Sequence, residues 1–217
     1  MKKQFLFIAA FFMTVHSFSQ SEKYTKAMGE LVPAIDTTRN ADKLTNLANS
    51  FQRIADAEKN QWLPYYYAAF ANVSAAYTMS MGQMGMADKT DPIADKAEGL
   101  LNKAEELSKD NSEIYVVKKM IASLRLIGDP QNRYMTYGPV AEQALATAKS
   151  LSPGNPRVTL LEAQDKFFTP EQFGGSKTEA KKLFEESIRK YETFKPETNI
   201  HPNWGMKQAQ YFLSQIK

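Results

Sequence analysis

Two stretches of this 217-residue chain, 44 residues apart, carry the same spacing of small and bulky apolar side chains. Ala97, Leu101, Ala104 and Leu107 follow one another by steps of four, three and three, and Ala141, Leu145, Ala148 and Leu151 repeat those steps. Such steps bring side chains onto one face of an α-helix. Ala180, Phe184 and Ser187 repeat the first three positions, and Leu47, Phe51, Ile54 and Ala57 give a looser copy. A helical face that recurs, in a chain without runs of alternating β-branched residues, predicts an all-α fold.

The same period predicts helices at about 22–35, 41–59, 63–81, 92–109, 112–127, 138–151, 156–168, 176–194 and 205–216. Gly128-Asp129-Pro130, Pro153-Gly154-Asn155-Pro156 and Gly174-Gly175-Ser176 punctuate them, because glycine and proline fit poorly inside helices. Asp91-Pro92 and Asn155-Pro156 each read as a capping residue before a proline at the first helical position. Ser176 with Glu179 reads as a capping box.

The second helix of each pair, with small residues around a bulky apolar one and Pro153 shortly after Leu151, resembles the tetratricopeptide repeat family. Among first helices, Tyr65 with Ala69 has the matching aromatic-to-small spacing, Thr159 with Ala163 keeps the small member, and Tyr115 meets Lys119 instead. Equivalent positions are 50 residues apart from Phe51 to Leu101, 44 on to Leu145 and 39 on to Phe184, against a repeat of about 34 in the family. The excess is expected as insertions within the pairs, at about 80–91, 128–137 and 168–176, emerging on one side of the stack. The resemblance implies a right-handed α-solenoid of about three divergent hairpins between Trp62 and Phe194, with an N-terminal helix pair. A C-terminal helix bearing Ala209, Phe212, Leu213 and Ile216 caps it, docked by Trp204. Phe173-Gly174-Gly175 after Thr169-Pro170, and His201-Pro202-Asn203-Trp204-Gly205, are also similar to segments of exported helical repeat proteins of Bacteroidetes.

Lys2 and Lys3 precede an apolar run of 11 residues, Phe5 to Val15, followed by Ser17, Ser19 and Gln20. This order is that of a cleavable Sec signal peptide, residues 1–19, ahead of a helical repeat domain at 20–217. The run is too short to anchor the chain, since a bilayer-spanning helix takes about 20 residues. The mature protein is therefore expected in the periplasm or outside the cell, with no membrane span. With no cysteine in the chain, packing rather than disulfides must hold it. Losing Lys2 and Lys3 leaves 25 basic residues against 24 acidic ones, a net charge of +1, which with no dense basic cluster argues against a nucleic-acid partner.

Catalytic groups are few. Beyond the leader the chain has one histidine, His201, and no cysteine, so the expectation is a binding scaffold for an envelope protein or peptide, without cofactor or catalysis. Tyr66, Asn72, Lys118, Arg133 and Tyr137 are the candidate partner contacts, aromatics and arginine being what binding hot spots contain. The alternatives are copper handling by the thioethers of Met79, Met81, Met84 and Met86, which are soft ligands for Cu(I), and a hydrolase of unknown type. Cleavage of the leader predicts that N-terminal sequencing of protein recovered from the cell envelope or medium begins near Gln20. Recovery of an intact Met1 would contradict it.

Overall fold

Helix α3, Trp62–Ser80, has buried side chains around nearly its whole circumference and packs against four other helices. The computed structural model describes residues 22–80 and 83–216; the leader and Met81 lie outside them. Among the described residues there are nine α-helices and no strand. The others are α1 (Glu22–Thr37), α2 (Ala41–Glu58), α4 (Ala87–Leu107), α5 (Ser112–Gly128), α6 (Pro130–Leu151), α7 (Pro156–Phe168), α8 (Lys177–Thr193) and α9 (Met206–Ser214). Each packs on the next in sequence, while α3 also touches α5 and α5 touches α7. The row α3–α5–α7 is thus the inner layer.

Starts and stops follow local chemistry. Asn40, Asn111, Asn155 and Ser176 each accept a hydrogen bond from a backbone N–H in the first turn of α2, α5, α7 and α8, satisfying donors that a helix start leaves free. Ser176 Oγ takes the Glu179 N–H at 3.1 Å, as the capping-box spacing requires. Of the repeated positions, Ala97, Leu101, Ala104, Ala141, Leu145, Ala148, Ala180, Phe184 and Ser187 are buried, whereas the fourth positions Leu107 and Leu151 are exposed, and of the looser copy only Phe51 is fully buried.

Of the three expected insertions, the second is almost entirely helix and the first is helix from Ala87 on. α4 begins at Ala87, so Pro92 lies inside it rather than at its start, and α6 begins at Pro130 and continues through Pro139. Proline removes one hydrogen bond from a helix interior, and tertiary contacts offset the loss. Arg133 on α6 donates to both carboxylate oxygens of Asp91 on α4, at 2.8 and 2.6 Å, and to the carbonyl of Arg125 at 3.2 Å. Gly85 N–H bonds the Ile127 carbonyl at 3.1 Å, tying the α3–α4 connection to the α5–α6 turn. Residues 169–176 do form a loop, with a one-turn 3-10 helix at Glu171–Phe173.

A buried polar network crosses the row. Arg157, fully buried on α7, forms two hydrogen bonds to the Glu113 carboxylate of α5, Nε to Oε2 at 2.7 Å and Nη2 to Oε1 at 2.5 Å. Asn155 Nδ2 donates to the same carboxylate at 2.7 Å and to Ser112 Oγ at 3.2 Å, and Ser112 Oγ donates to the Ala148 carbonyl at 2.8 Å. The Arg157 guanidinium also lies 4.6 Å from the Phe194 ring centroid. Burial alone would lower the Arg157 pKa, but the adjoining Glu113 carboxylate raises it, so the guanidinium stays charged.

The chain then returns to this network. Trp204 stacks on Phe70 of α3 at 4.2 Å, donates Nε1–H to Tyr66 Oη at 2.8 Å, and accepts from Tyr191 Oη at 2.7 Å through its carbonyl. Tyr67 Oη donates to the Ile200 carbonyl at 3.0 Å. Gly205 follows with φ +111°, where a Cβ would run into Tyr191 Oη and Leu160, so this residue must be glycine. Trp204 therefore docks the C-terminal segment onto α3, well inside the row, while α9 packs on α8.

Removing one member of a buried ion pair leaves the other charge unpaired, at a cost of about 3–5 kcal/mol. Glu113→Ala is expected to lose about that much stability by urea unfolding. The double variant Glu113→Leu with Arg157→Met should recover most of it, because the buried charge is gone. A single variant as stable as the parent would remove the network from its central place.

Candidate functional site

At its C-terminal end α7 reads Lys166-Phe167-Phe168-Thr169-Pro170, and adjacent helical residues point in different directions. Phe167 turns inward, edge to face with buried Phe184 of α8 at 6.0 Å, while Phe168 is left 61% exposed. Helix α9 closes beside them. Phe212 lies 5.5 Å from Phe167, 5.2 Å from Phe168 and 5.8 Å from Phe184, and Tyr211, itself exposed, meets Phe212 at 5.3 Å.

The loop after α7 is held by its own backbone. Ser176 N–H bonds the Lys166 carbonyl at 2.9 Å and Gly175 N–H the Pro170 carbonyl at 3.2 Å. A Cβ on Gly175 would overlap the Thr169 carbonyl, so only glycine fits the closure. The turn holds Phe173 out, 68% exposed. A shallow cleft of about 240 Å³ runs between Phe167, Phe168, Thr169 and Pro170 on one side and Ser176 and Lys177 on the other.

Two cations, Lys166 and Lys177, and the carboxylate of Glu171 edge it. Lys177 Nζ sits 3.2 Å from the centroid of the Phe167 ring and donates to the Phe167 carbonyl at 2.6 Å. Lys166 Nζ pairs with Glu179 at 2.8 Å and donates to the Gly174 carbonyl at 3.2 Å. Exposed ring faces beside ammonium groups can hold a flat apolar molecule that carries acidic groups. A second cleft, about 520 Å³ among Asp56, Lys59, Tyr65, Lys103, Glu106 and Leu107, exposes only Leu107 as a large apolar side chain and no aromatic ring. It lacks that combination.

The contacts expected from the sequence fall elsewhere. Tyr66 is fully buried and hydrogen-bonded to Trp204, and Asn72, 5% exposed, donates to the Ala68 carbonyl. Both are core residues closed to a partner, because α3 is covered on nearly all sides. Lys118 is held by both oxygens of Glu105, at 2.6 and 2.7 Å. Arg133 and Tyr137 do come together, the guanidinium 5.9 Å from the ring centroid. Met79 ends α3 and is 41% exposed, Met84 is 68% exposed in the following connection, and Met86 immediately precedes α4. No group of three or more His, Cys, Asp or Glu able to hold a metal occurs among the described residues.

Sequence reasoning passed over Phe168, Phe173 and Tyr211. The available signal was the Phe167-Phe168 pair ahead of a Gly-Gly turn, since neighbouring rings point in different directions and both are buried only where a helix is covered on nearly all sides, as α3 is.

His201 is fully engaged. Its Nδ1 lies 2.7 Å from Thr198 Oγ1, its Nε2 is 3.2 Å from Glu197, and its ring meets Trp62 edge to face at 5.8 Å. Burial pulls its pKa below the ordinary 6.5, outweighing the upward pull of Glu197 and Glu113. A histidine whose folded pKa is lowered favours the folded state above the unfolded value, and that contribution is lost as pH falls through the folded pKa. Stability should therefore decline as pH drops below about 6.5, and His201→Asn should flatten that part of the profile in urea unfolding at stepped pH. An unchanged slope in the variant would contradict the assignment.

No protein-family model matches the chain, and no curated protein does. Among solved structures it is similar to the HusA haemophore from Porphyromonas gingivalis, with 35% sequence identity over 92% of this chain and 95% of that one and a TM-score of 0.77. The chain belongs to the same family as HusA.

Proposed function

We propose that this member of the HusA family is an exported, non-catalytic binding protein whose ligand is a tetrapyrrole of the haem class, held on the aromatic face of α7 and α9. A haemophore carries haem, and that property of the relative guides the choice of ligand. The observation that carries the proposal is the pair of exposed rings, Phe168 and Tyr211, that both contact Phe212, beside the cleft that Phe168 lines and the loop that holds Phe173 exposed. Single exposed apolar side chains are ordinary, but a contiguous apolar patch on a soluble protein marks a binding surface. A tetrapyrrole is flat and apolar with carboxylates at one edge. Its macrocycle would stack on Phe168 and Phe173, and its carboxylates would meet Lys166 and Lys177.

The family likeness favours this small ligand over the envelope protein or peptide that the repeat pattern implied, and over copper handling or hydrolysis. Residues 1–19 as a cleaved leader place the protein in the periplasm or outside the cell, where a ligand carrier meets its cargo. The helix pairs α3–α4, α5–α6 and α7–α8, stacked as a right-handed solenoid similar to tetratricopeptide repeats, complete the proposed architecture. Its role is to hold α7 and α9 rigidly, so that little ordering entropy is lost on binding.

Stacking on two rings is worth about 1–3 kcal/mol, tenfold or more in affinity. Spectroscopic titration with haem should show the double variant Phe168→Ala with Phe173→Ala binding on the order of tenfold more weakly, with an unchanged melting temperature because both rings are exposed. Lys177→Glu should weaken binding further at low salt than at high salt. Undiminished affinity in the double variant would place the ligand elsewhere.

A further inference from the structure

We infer that the cleft between α2, α3 and α4 is a second binding site, which takes a small zwitterion of the amino-acid or short-peptide kind with its carboxylate on Tyr65, Lys59 and Lys103. None of these helices contributes to the aromatic face of α7 and α9, so the two sites are separate. At about 520 Å³ the cleft falls within the range of small-ligand sites, about 300–1,000 Å³.

Tyr65 is the residue that marks it. Its side chain lines the cleft and is only 6% exposed, yet its hydroxyl has no hydrogen bond among the described residues and is not closed off from solvent. That oxygen therefore opens into the cleft. The tyrosines that serve the core behave otherwise: Tyr66, Tyr67, Tyr77 and Tyr191 all place their hydroxyls in hydrogen bonds to other residues. A phenol buried this far with an open hydroxyl takes its hydrogen bond from whatever fills the cleft. Lys103 Nζ lies 5.7 Å from the centroid of the same ring and sets an ammonium beside it.

The charges of the lining are also uncommitted. Asp56, Lys59, Lys103 and Glu106 are exposed, and none pairs with another charge among the described residues. Lys118, Lys149 and Lys166, by contrast, each meet a carboxylate of a neighbouring helix. Two ammonium groups and two carboxylates leave the lining without net charge, which matches a ligand that carries one charge of each sign. Helices α2 and α4 both end at the cleft with no basic residue in the last turn, so their terminal carbonyls, together with Asp56 and Glu106, favour an ammonium. The Tyr65 hydroxyl, Lys59 and Lys103 suit a carboxylate, and Leu107, 42% exposed, suits an apolar side chain.

The experiment is isothermal titration calorimetry of the purified protein with leucine, with leucyl-leucine, and with the N-acetyl and C-amide derivatives of leucyl-leucine. Leucyl-leucine is expected to bind, and each blocked derivative about tenfold or more weakly, since each lacks one charge. Binding of leucine as tight as that of leucyl-leucine would assign the site to free amino acids, and weaker binding to peptides; both keep the zwitterion. Tyr65→Phe should weaken leucyl-leucine about tenfold with an unchanged melting temperature, because the hydroxyl makes no bond within the protein. No binding of either zwitterion, equal affinity for the blocked derivatives, or undiminished affinity in Tyr65→Phe would each overturn the inference.

Discussion

The ion pair between Arg157 and Glu113 is the contact on which the rest of the arrangement depends. A guanidinium with no solvent access cannot be tolerated without a carboxylate and further hydrogen bonds, and here the pair fixes α7 against α5 in one register. Asn155 serves both purposes, capping α7 through its Oδ1 and holding Glu113 and Ser112 through its Nδ2. Because the carboxylate also lies 3.4 Å from Tyr66 Oη, which receives the Trp204 indole N–H, the network runs from α3 to the C-terminal segment. Apolar packing alone would leave these helices freer to slide, since hydrophobic contact is not directional.

From that fixed register follows the position of the aromatic face. α7 is held at its start by Asn155 and Arg157, so its last turn, with Phe167 and Phe168, emerges at a set place over α8 and α9. The Gly174-Gly175 closure then holds Phe173 outward, and the segment from Phe194 to Gly205 brings α9 back so that Phe212 completes the cluster. Core and patch are thus continuous: buried Phe184 and half-buried Phe167 pack beneath the exposed ring of Phe168 through Phe212.

Much of the scaffold was legible beforehand. The helical period located every α-helix among the described residues, because an amphipathic face is written locally in steps of three and four. Caps at Asn155 and Ser176 were legible for the same reason, as a cap needs only the side chain and the turn beside it. Pro92 was misread as a helix start, and α6 was expected to begin only at about 138. A proline removes one backbone hydrogen bond, and only the Arg133–Asp91 pair, joining residues 42 apart, reveals why the helices continue.

Sequence by itself determined an all-α chain, its helix order, its caps and the small-bulky-small faces that α4, α6 and α8 turn to their neighbours, all of which depend on residues within a few turns. Tertiary structure alone decided that Tyr66 and Asn72 are core, that Arg157 is buried against Glu113, and that Phe168 and Tyr211 meet the same ring, Phe212. Each of those facts depends on which distant helix covers a side chain, and the energy that settles it, burial of area against pairing of charge, is exchanged between segments far apart in the chain.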